Sequence, residues 1–281
     1  MHIRFNKQEN FFWRVLFSVL VGIWCLITVI LFANVFLSSF KTNVDIFTSP
    51  WGFPREFVLS NYKQLFHDGF MIYFSNSFII MLVSIAVILS VSSMAAYGLG
   101  KFSFKGNKLL RNYFLLGLMF PVQLGIIPLF NLLKTFHLIN TLFGVILIYS
   151  AGVSIPIFIL TNFLQTIPDA MRESARIDGA GEFLIFRKII LPMMKPAVGA
   201  LIPLNAVGLW NDFFIPLVFL SDVKLKTVPL GLMQYFTGKG FDISKIGLVF
   251  TAVIVSILPL LFIYIFGSGK IISGLTAGTI K

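Results

Sequence analysis

Of the 281 residues, 57% are hydrophobic and 12% are charged, about half the roughly 25% charge of an ordinary soluble domain. That balance excludes a water-soluble globular enzyme. A formal net charge of +11 would suit nucleic acid only if the Lys and Arg were gathered in a long polar domain, and the chain has none.

The charges are clumped. Uncharged runs of 26 residues separate Arg14 from Lys41, 32 separate Asp68 from Lys101, and 22 separate Arg111 from Lys134. Runs of 34 residues between Lys134 and Asp169 and 24 between Lys245 and Lys270 follow, and another of 26 between Lys195 and Asp222 is interrupted only by Asp212. A helix crosses the hydrocarbon layer with roughly 20 apolar residues, so each run predicts one span. The fold class is therefore all-α integral membrane, with six transmembrane helices at 15–37, 73–97, 112–133, 141–163, 197–220 and 246–266.

This divides the chain into an amino-terminal segment 1–14, an anchor 15–37, a loop 38–72, a core 73–266 and a tail 267–281. The first run is longer than the 7–15 residues of a signal-peptide core, which predicts an uncleaved anchor. With the amino terminus in the cytoplasm, 14 Lys and Arg fall on that side and 8 on the other. The positive-inside rule then puts both ends, and the clusters 101–111 and 172–195, in the cytoplasm. Pro50, Trp51, Gly52 and Pro54 in loop 38–72 suit a segment anchored at the interface. Cys25 is the only cysteine, so neither a disulfide framework nor a cysteine-ligated metal site is expected.

Proline falls in later spans at Pro121, Pro128, Pro156, Pro203, Pro216 and Pro259. Each removes a backbone donor. In lipid, the freed carbonyls must be satisfied by protein or by a watery cavity, so these spans either pack around a pathway or carry the proline that membrane helices commonly tolerate.

Between the fourth and fifth spans, 168–192 reads as two short helices. Pro168 and Asp169 open the first, Met171, Ser174, Ala175 and Asp178 share a face at helical spacing, and Gly179 supplies the positive φ of a helix stop. The second carries Phe183, Phe186 and Ile190 on one stripe and is expected to end at Pro192. Small Ser174, Ala175 and Ala180 allow close approach to another surface, and Glu173 and Asp178 offer acceptors to a partner's arginine. The alternative is an amphipathic helix lying on headgroups.

Glu173, Ser174, Ala175, Asp178, Gly179 and Ala180, followed by Leu191 and Pro192, resemble the EAA loop of permease subunits of binding-protein-dependent ABC importers. In that family the loop's coupling helix sits in a groove of a cytoplasmic ATPase, which implies an ATPase-coupling role for these residues. Ser174 stands where the motif usually has its first alanine. The stretch 209–217, Leu-Trp-Asn-Asp-Phe-Phe-Ile-Pro-Leu, and the tail 273–278 are similar to the maltose-permease type of carbohydrate importer, in the second, six-span subunit of the permease pair. The likeness covers most of the chain from Tyr73 onward.

The resemblance implies a type I ABC importer permease fold in the cell membrane, surrounded by lipid. It also implies a sister permease subunit in a heterodimer, an ATPase dimer and an extracytoplasmic sugar-binding protein. No catalytic residue and no cofactor are expected on this chain; ATP and Mg belong to the partner ATPase. Gly274, Leu275, Thr276, Ala277 and Gly278 correspond to the family's tail that reaches between the ATPase subunits. The outer loop 223–245 matches in position the family's loop that probes the docked binding protein.

The chain has no Gly-x-x-x-x-Gly-Lys-Ser/Thr phosphate loop, so it cannot hydrolyse ATP alone. Asp212 is the only carboxylate inside an expected span, and a charge at the bilayer centre costs about 2.5–3.5 kcal/mol on insertion scales. Trp210, Asn211 and Asp212 are therefore candidate pathway residues, with bracing between helices as the alternative. Gln123, Asn131, Asn162 and Asn205 are expected to hydrogen-bond between helices. An intramembrane enzyme would need paired ligands or a nucleophile with its base, yet His2, His67 and His137 all lie outside the spans or at their ends. An ion-coupled secondary transporter subunit would use a carboxylate relay, for which Asp212 stands alone.

Overall fold

A computed structural model describes residues 7–237 and 245–276. All regular structure among them is helical. In chain order the helices are α1 Lys7–Ser38, α2 Asn43–Thr48, α3 Ser60–His67, α4 Phe70–Lys101, α5 Asn107–Gly117, α6 Ile126–Thr135, α7 Leu142–Ser150 and α8 Ser154–Leu164. There follow α9 Ala170–Ile177, α10 Glu182–Ile185, α11 Leu191–Met193, α12 Lys195–Asn211, α13 Phe214–Phe219, α14 Val228–Thr237 and α15 Ile246–Thr276. The chain forms two compact units, one of Met1–Asp68 with Gln234–Val255, the other of Gly69–Met233 with Ser256–Lys281.

In the first unit, α1 carries a run from Trp13 to Ser38 of mean hydropathy 2.8, and its apolar window is not buried within the chain. Such a surface is stable only against lipid or another protein. After α1 the chain folds back on itself around Lys41. Its side chain is fully buried, and Nζ donates to the carbonyls of Ser49 at 3.0 Å and Pro50 at 3.1 Å. A buried ammonium requires such partners. Thr42 caps α2 by accepting from the Asp45 N–H, and Asn61 Nδ2 donates to the carbonyls of Ser39 and Lys41. The start of α15 joins this knot: Gly247 N–H donates to Asn43 Oδ1 at 2.9 Å, and Thr251 Oγ1 to the Ser39 carbonyl at 3.2 Å. A Cβ at Gly247 would stand 2.7 Å from Asn61 Nδ2, so the close approach needs glycine. Trp51, Phe53 and Phe57 remain exposed, as an interfacial anchor requires.

In the second unit, α4 is the central element, packed against α7, α8 and α12. Ser84 and Ser92 are fully buried along it. At Gly100 a Cβ would meet the Leu164 side chain at 3.3 Å, the close packing that small residues permit between membrane helices. Ile80, Leu133, Val145, Ile146, Ile148, Ile215 and Phe219 form a buried apolar cluster from α4, α6, α7 and α13. Asn76 Nδ2 donates to the carbonyls of Lys224 and Lys226, and Ser77 Oγ accepts from the Val228 N–H. The segment between α13 and α14 is thereby tied to the start of α4.

Three helices are long and apolar enough to cross a bilayer unbroken: Trp13–Ser38, Phe70–Lys101 and Ile246–Ile265. Three bent pairs reach that length together: Asn107–Gly117 with Val122–Thr135 at 91°, Leu142–Ser150 with Ser154–Leu164 at 41°, and Glu182–Met193 with Lys195–Asn211 at 70°. The chain is thus a multi-pass membrane protein, with the third, fourth and fifth expected spans broken. Pro121 turns the chain out of α5 with an extended backbone. The expected fifth span 197–220 divides at Asp212, which has an extended backbone with ψ 122, and its last turn becomes the separate α13. Pro203 and Pro259 lie inside α12 and α15.

Candidate functional site

Loop 168–192 carries the densest polar geometry in the second unit. Helix α9 stops as its sequence implies. Gly179 has φ +81, its N–H donates to the Arg176 carbonyl at 3.0 Å, and the Ala180 N–H reaches the Ala175 carbonyl at 2.9 Å. These two bonds form a Schellman stop. Nothing lies within 4 Å of a Cβ at Gly179, so glycine is needed for backbone conformation and not for space.

One side of α9 is held by the carboxy end of α4. Lys101 Nζ donates to the Ile167 carbonyl at 2.6 Å and to Asp169 Oδ1 at 2.8 Å. That hydrogen bond and the ammonium charge hold the Asp169 carboxyl below its usual range. Arg172 Nη1 donates to the Lys101 carbonyl at 2.7 Å, and its guanidinium carbon lies 4.4 Å from the centre of the Phe102 ring. Arg172 Nη2 also reaches Glu182 Oε1 at 3.5 Å, while Tyr97 donates to Glu182 Oε2 at 2.7 Å. Ala175 is buried on this same side.

The other side is open. Glu173, Ser174, Asp178 and Gly179 are exposed, and Ile177 is 86% exposed. Among the described residues no cation pairs with Glu173 or Asp178. The helix thus presents two free carboxylates and an apolar tip on a backing fixed by charge.

The return helix departs from the expected pattern. Phe186 and Ile190 are buried, but Phe183 is exposed, so the three do not form one stripe. A π-helical turn at Phe186–Ile190 shifts the register between them. Pro192 does not end the helix; it lies within α11, and the 70° bend falls after Met193. Leu191 and Pro192 therefore sit on this return helix, apart from α9. Gly274, Leu275 and Thr276 are the last residues of α15, which runs past the expected span end at 266. Ala277 and Gly278 lie outside the described residues.

Asp212 caps the α12–α13 break. Its Oδ1 accepts the Phe214 N–H at 2.8 Å and the Ile215 N–H at 3.4 Å, and Oδ2 accepts the Tyr149 hydroxyl at 2.9 Å. Tyr149, Asn205 and Asp212 line a cavity of about 490 Å³ with Gly117, Phe120 and Gly208. Trp210 is not open to that cavity: it is 2% exposed, donates to the Ser256 carbonyl at 3.0 Å and stacks edge-on with Phe74. Asn211 and Asn205 donate to carbonyls four residues back on their own helix, so Asn205 does not bridge helices as expected. Asn76, by contrast, does join distant segments, through its bonds to the Lys224 and Lys226 carbonyls. Sequence reasoning missed Tyr97, Lys101, Arg172 and Glu182 as the support of α9. The basic residues after the second span were visible, but nothing in the linear pattern paired them with the loop.

Residues 89–269 match the family described as binding-protein-dependent transport system inner membrane component. The chain is 33% identical to the diacetylchitobiose uptake system permease protein NgcG of Streptomyces coelicolor, over 93% of this chain and 87% of that one. It is also 33% identical to the multiple sugar-binding transport system permease protein MsmG of Streptococcus mutans, over 98% of this chain and 100% of that one. Its fold is similar to a chain in the crystal structure of a bacterial ABC transporter involved in import of the acidic polysaccharide alginate. There the TM-score is 0.81 at 21% identity, covering 92% of this chain and 96% of the other. With three unbroken apolar helices and three bent pairs of spanning length among the described residues, and an exposed loop helix braced on α4, the chain belongs to the binding-protein-dependent ABC importer permeases, as an inner membrane component.

Proposed function

We propose that this permease is one of two membrane subunits of an ATP-driven oligosaccharide importer, and that α9 is the element its ATPase grips. The single observation that carries the coupling role is the two-sided nature of α9. Arg172, Lys101 and Glu182 fix one side, while Glu173 and Asp178 on the other have no cation partner among the described residues. Sugar as cargo is supported by the relatives named for diacetylchitobiose and multiple-sugar uptake.

In this reading an ATPase dimer holds ATP and Mg, a sister permease completes the pathway, and an extracytoplasmic binding protein delivers the sugar. Both termini of this chain are cytoplasmic, and 274–278 reach the ATPase. Closure of the ATPase dimer pulls on α9. Because α9 is tied to Lys101 at the end of α4, the pull reaches the longest helix of the core without a flexible joint. Such a motion shifts access only to the extent that nucleotide and loaded binding protein favour different states. An ion-coupled carrier is not favoured, because Asp212 is occupied by a hydroxyl and two backbone donors.

The test is Glu173→Lys, with Gly179→Val as a second variant. Sugar uptake is expected to be abolished, and co-purification with the ATPase weakened, while the protein remains inserted. Uptake that survives deletion of the ATPase but collapses with an uncoupler would overturn the proposal.

A further inference from the structure

We propose that the loop between α4 and α5 holds the phosphate of an anionic phospholipid, with the start of an acyl chain in the slot beside it. The loop borders an open depression of about 530 Å³ lined by Lys101, Ser103, Asn107, Lys108 and Arg111. Its shape is built and not incidental: Asn107 Nδ2 donates to the carbonyls of Leu99 and Phe102 at 3.0 and 2.9 Å, and Gly106 turns with φ +95. No acidic residue occurs from 101 to 111. Lys101 is committed to Asp169, but Lys108 and Arg111 have no carboxylate partner among the described residues.

A second, smaller cavity of about 50 Å³ shares Leu99 and Arg111 with the first and is otherwise lined chiefly by apolar Phe114, Leu115 and Ile157. Thr161 also lines it; this residue is 3% exposed, and its Oγ1 has no hydrogen-bond partner. A buried hydroxyl without a partner is costly and points to a polar group that reaches it, which in a phospholipid is the ester carbonyl at the head of the acyl chain and not its methylenes. The arrangement is a cationic bowl next to an apolar slot, with Arg111 at their boundary. Free phosphate would use only the bowl, whereas a phospholipid uses both. A guanidinium suits a phosphate because two of its N–H groups can bond at once, and basic pockets between helices at a membrane face bind anionic headgroups. The ligand is independent of the importer reading; only its assignment to the cytoplasmic leaflet rests on that reading.

The experiment is native mass spectrometry of the detergent-purified transporter complex, loaded with phosphatidylglycerol or phosphatidylcholine. The wild type is expected to retain phosphatidylglycerol selectively. Retention in Lys108→Gln/Arg111→Gln should fall roughly thirtyfold, in line with the loss of two cations near an anionic headgroup. Leu115→Trp, which fills the slot without changing charge, should also lower retention, and excess inorganic phosphate should not displace the lipid. Unfolding midpoints in lipid-free detergent identify variants that remain folded, and Leu115→Trp gives an independent reading if the double variant does not. Undiminished retention in folded variants overturns the proposal, as does equal retention of phosphatidylcholine. Displacement by inorganic phosphate would assign the bowl to the free ion, and loss of the ATPase with lipid retained would make this face a protein contact. Retention is read without transport, so its failure leaves the importer proposal standing.

Discussion

At loop 168–192, charged groups meet across 68 residues of sequence, as Lys101 does with Asp169, while Glu173 and Asp178 are exposed with no cation partner among the described residues. At the α12–α13 break a single carboxylate is satisfied by one hydroxyl and two backbone N–H groups. Water explains the difference. An exposed loop can leave Glu173 and Asp178 solvated, so free charge there costs little and stays available for the docking proposed above. A carboxylate at membrane depth must be satisfied by its own chain, so Asp212 is spent on structure before it can serve transport.

Arg172→Ala tests the first half of that contrast and should have the largest effect. The change removes a charge-assisted hydrogen bond to the Lys101 carbonyl, the contact with the Phe102 ring and a bridge to Glu182. Bonds of this charged kind contribute about 1.5–3 kcal/mol, so the detergent unfolding midpoint should drop measurably. ATPase co-purification should weaken although no residue of the outward side of α9 has changed. If co-purification and uptake are intact, α9 does not depend on its backing and the contrast loses its first term.

Asp212 supplies the second half through a pair of variants. Asn keeps an oxygen for the Phe214 and Ile215 N–H groups and can donate to the Tyr149 hydroxyl, so Asp212→Asn should leave stability and uptake nearly unchanged. Asp212→Ala removes the cap, worth about 1 kcal/mol, and leaves a part-buried hydroxyl without its acceptor, adding about 1–3 kcal/mol. Thermal unfolding and uptake measured together separate the roles. Loss of uptake in the Asn variant at full stability would make the charge itself part of the pathway and dissolve the difference between the two regions.

The same contrast governs what could be read from sequence. Loop 168–192 was legible because its signals are local: Gly179 ends α9 through bonds to residues three and five positions back, and the small and acidic residues follow helical spacing. The apolar stretches were legible because apolar length is a property of continuous sequence: three are unbroken helices of spanning length and three are bent pairs. The breaks were not. Pro121 and Pro203 look alike in sequence, yet one accompanies a 91° bend and the other lies inside α12. The difference depends on whether neighbouring helices can satisfy the freed carbonyls, which no local pattern encodes. Trp210 shows a similar limit: its sequence leaves pathway and bracing open, and the helix turns its ring toward Phe74 and the Ser256 carbonyl. The ties from Lys101 to Asp169 and from Tyr97 to Glu182 join residues far apart in the chain, and unpaired sequence carries no trace of them.

The smallest expected effect concerns the Lys101–Asp169 tie, and it tests whether exposed charge near α9 contributes to order there. Because Lys101 holds the Asp169 carboxyl below its usual range, the unfolded chain binds this proton more readily than the folded one. The contribution is therefore complete above the ordinary carboxylate pKa and is lost as pH falls through the lowered folded value. The Asp169 side chain is 63% exposed, so solvent screens the pair and the change in global stability should be slight. The sensitive readout is local. Amide hydrogen exchange along α9, corrected for the intrinsic pH dependence, should quicken as pH drops below the usual carboxylate range, and Asp169→Asn should show the quicker exchange at all pH values. Equal exchange in the two proteins above that range would mean that Arg172 and Ala175 hold α9 without help from this pair, and that only the buried contacts of its backing matter.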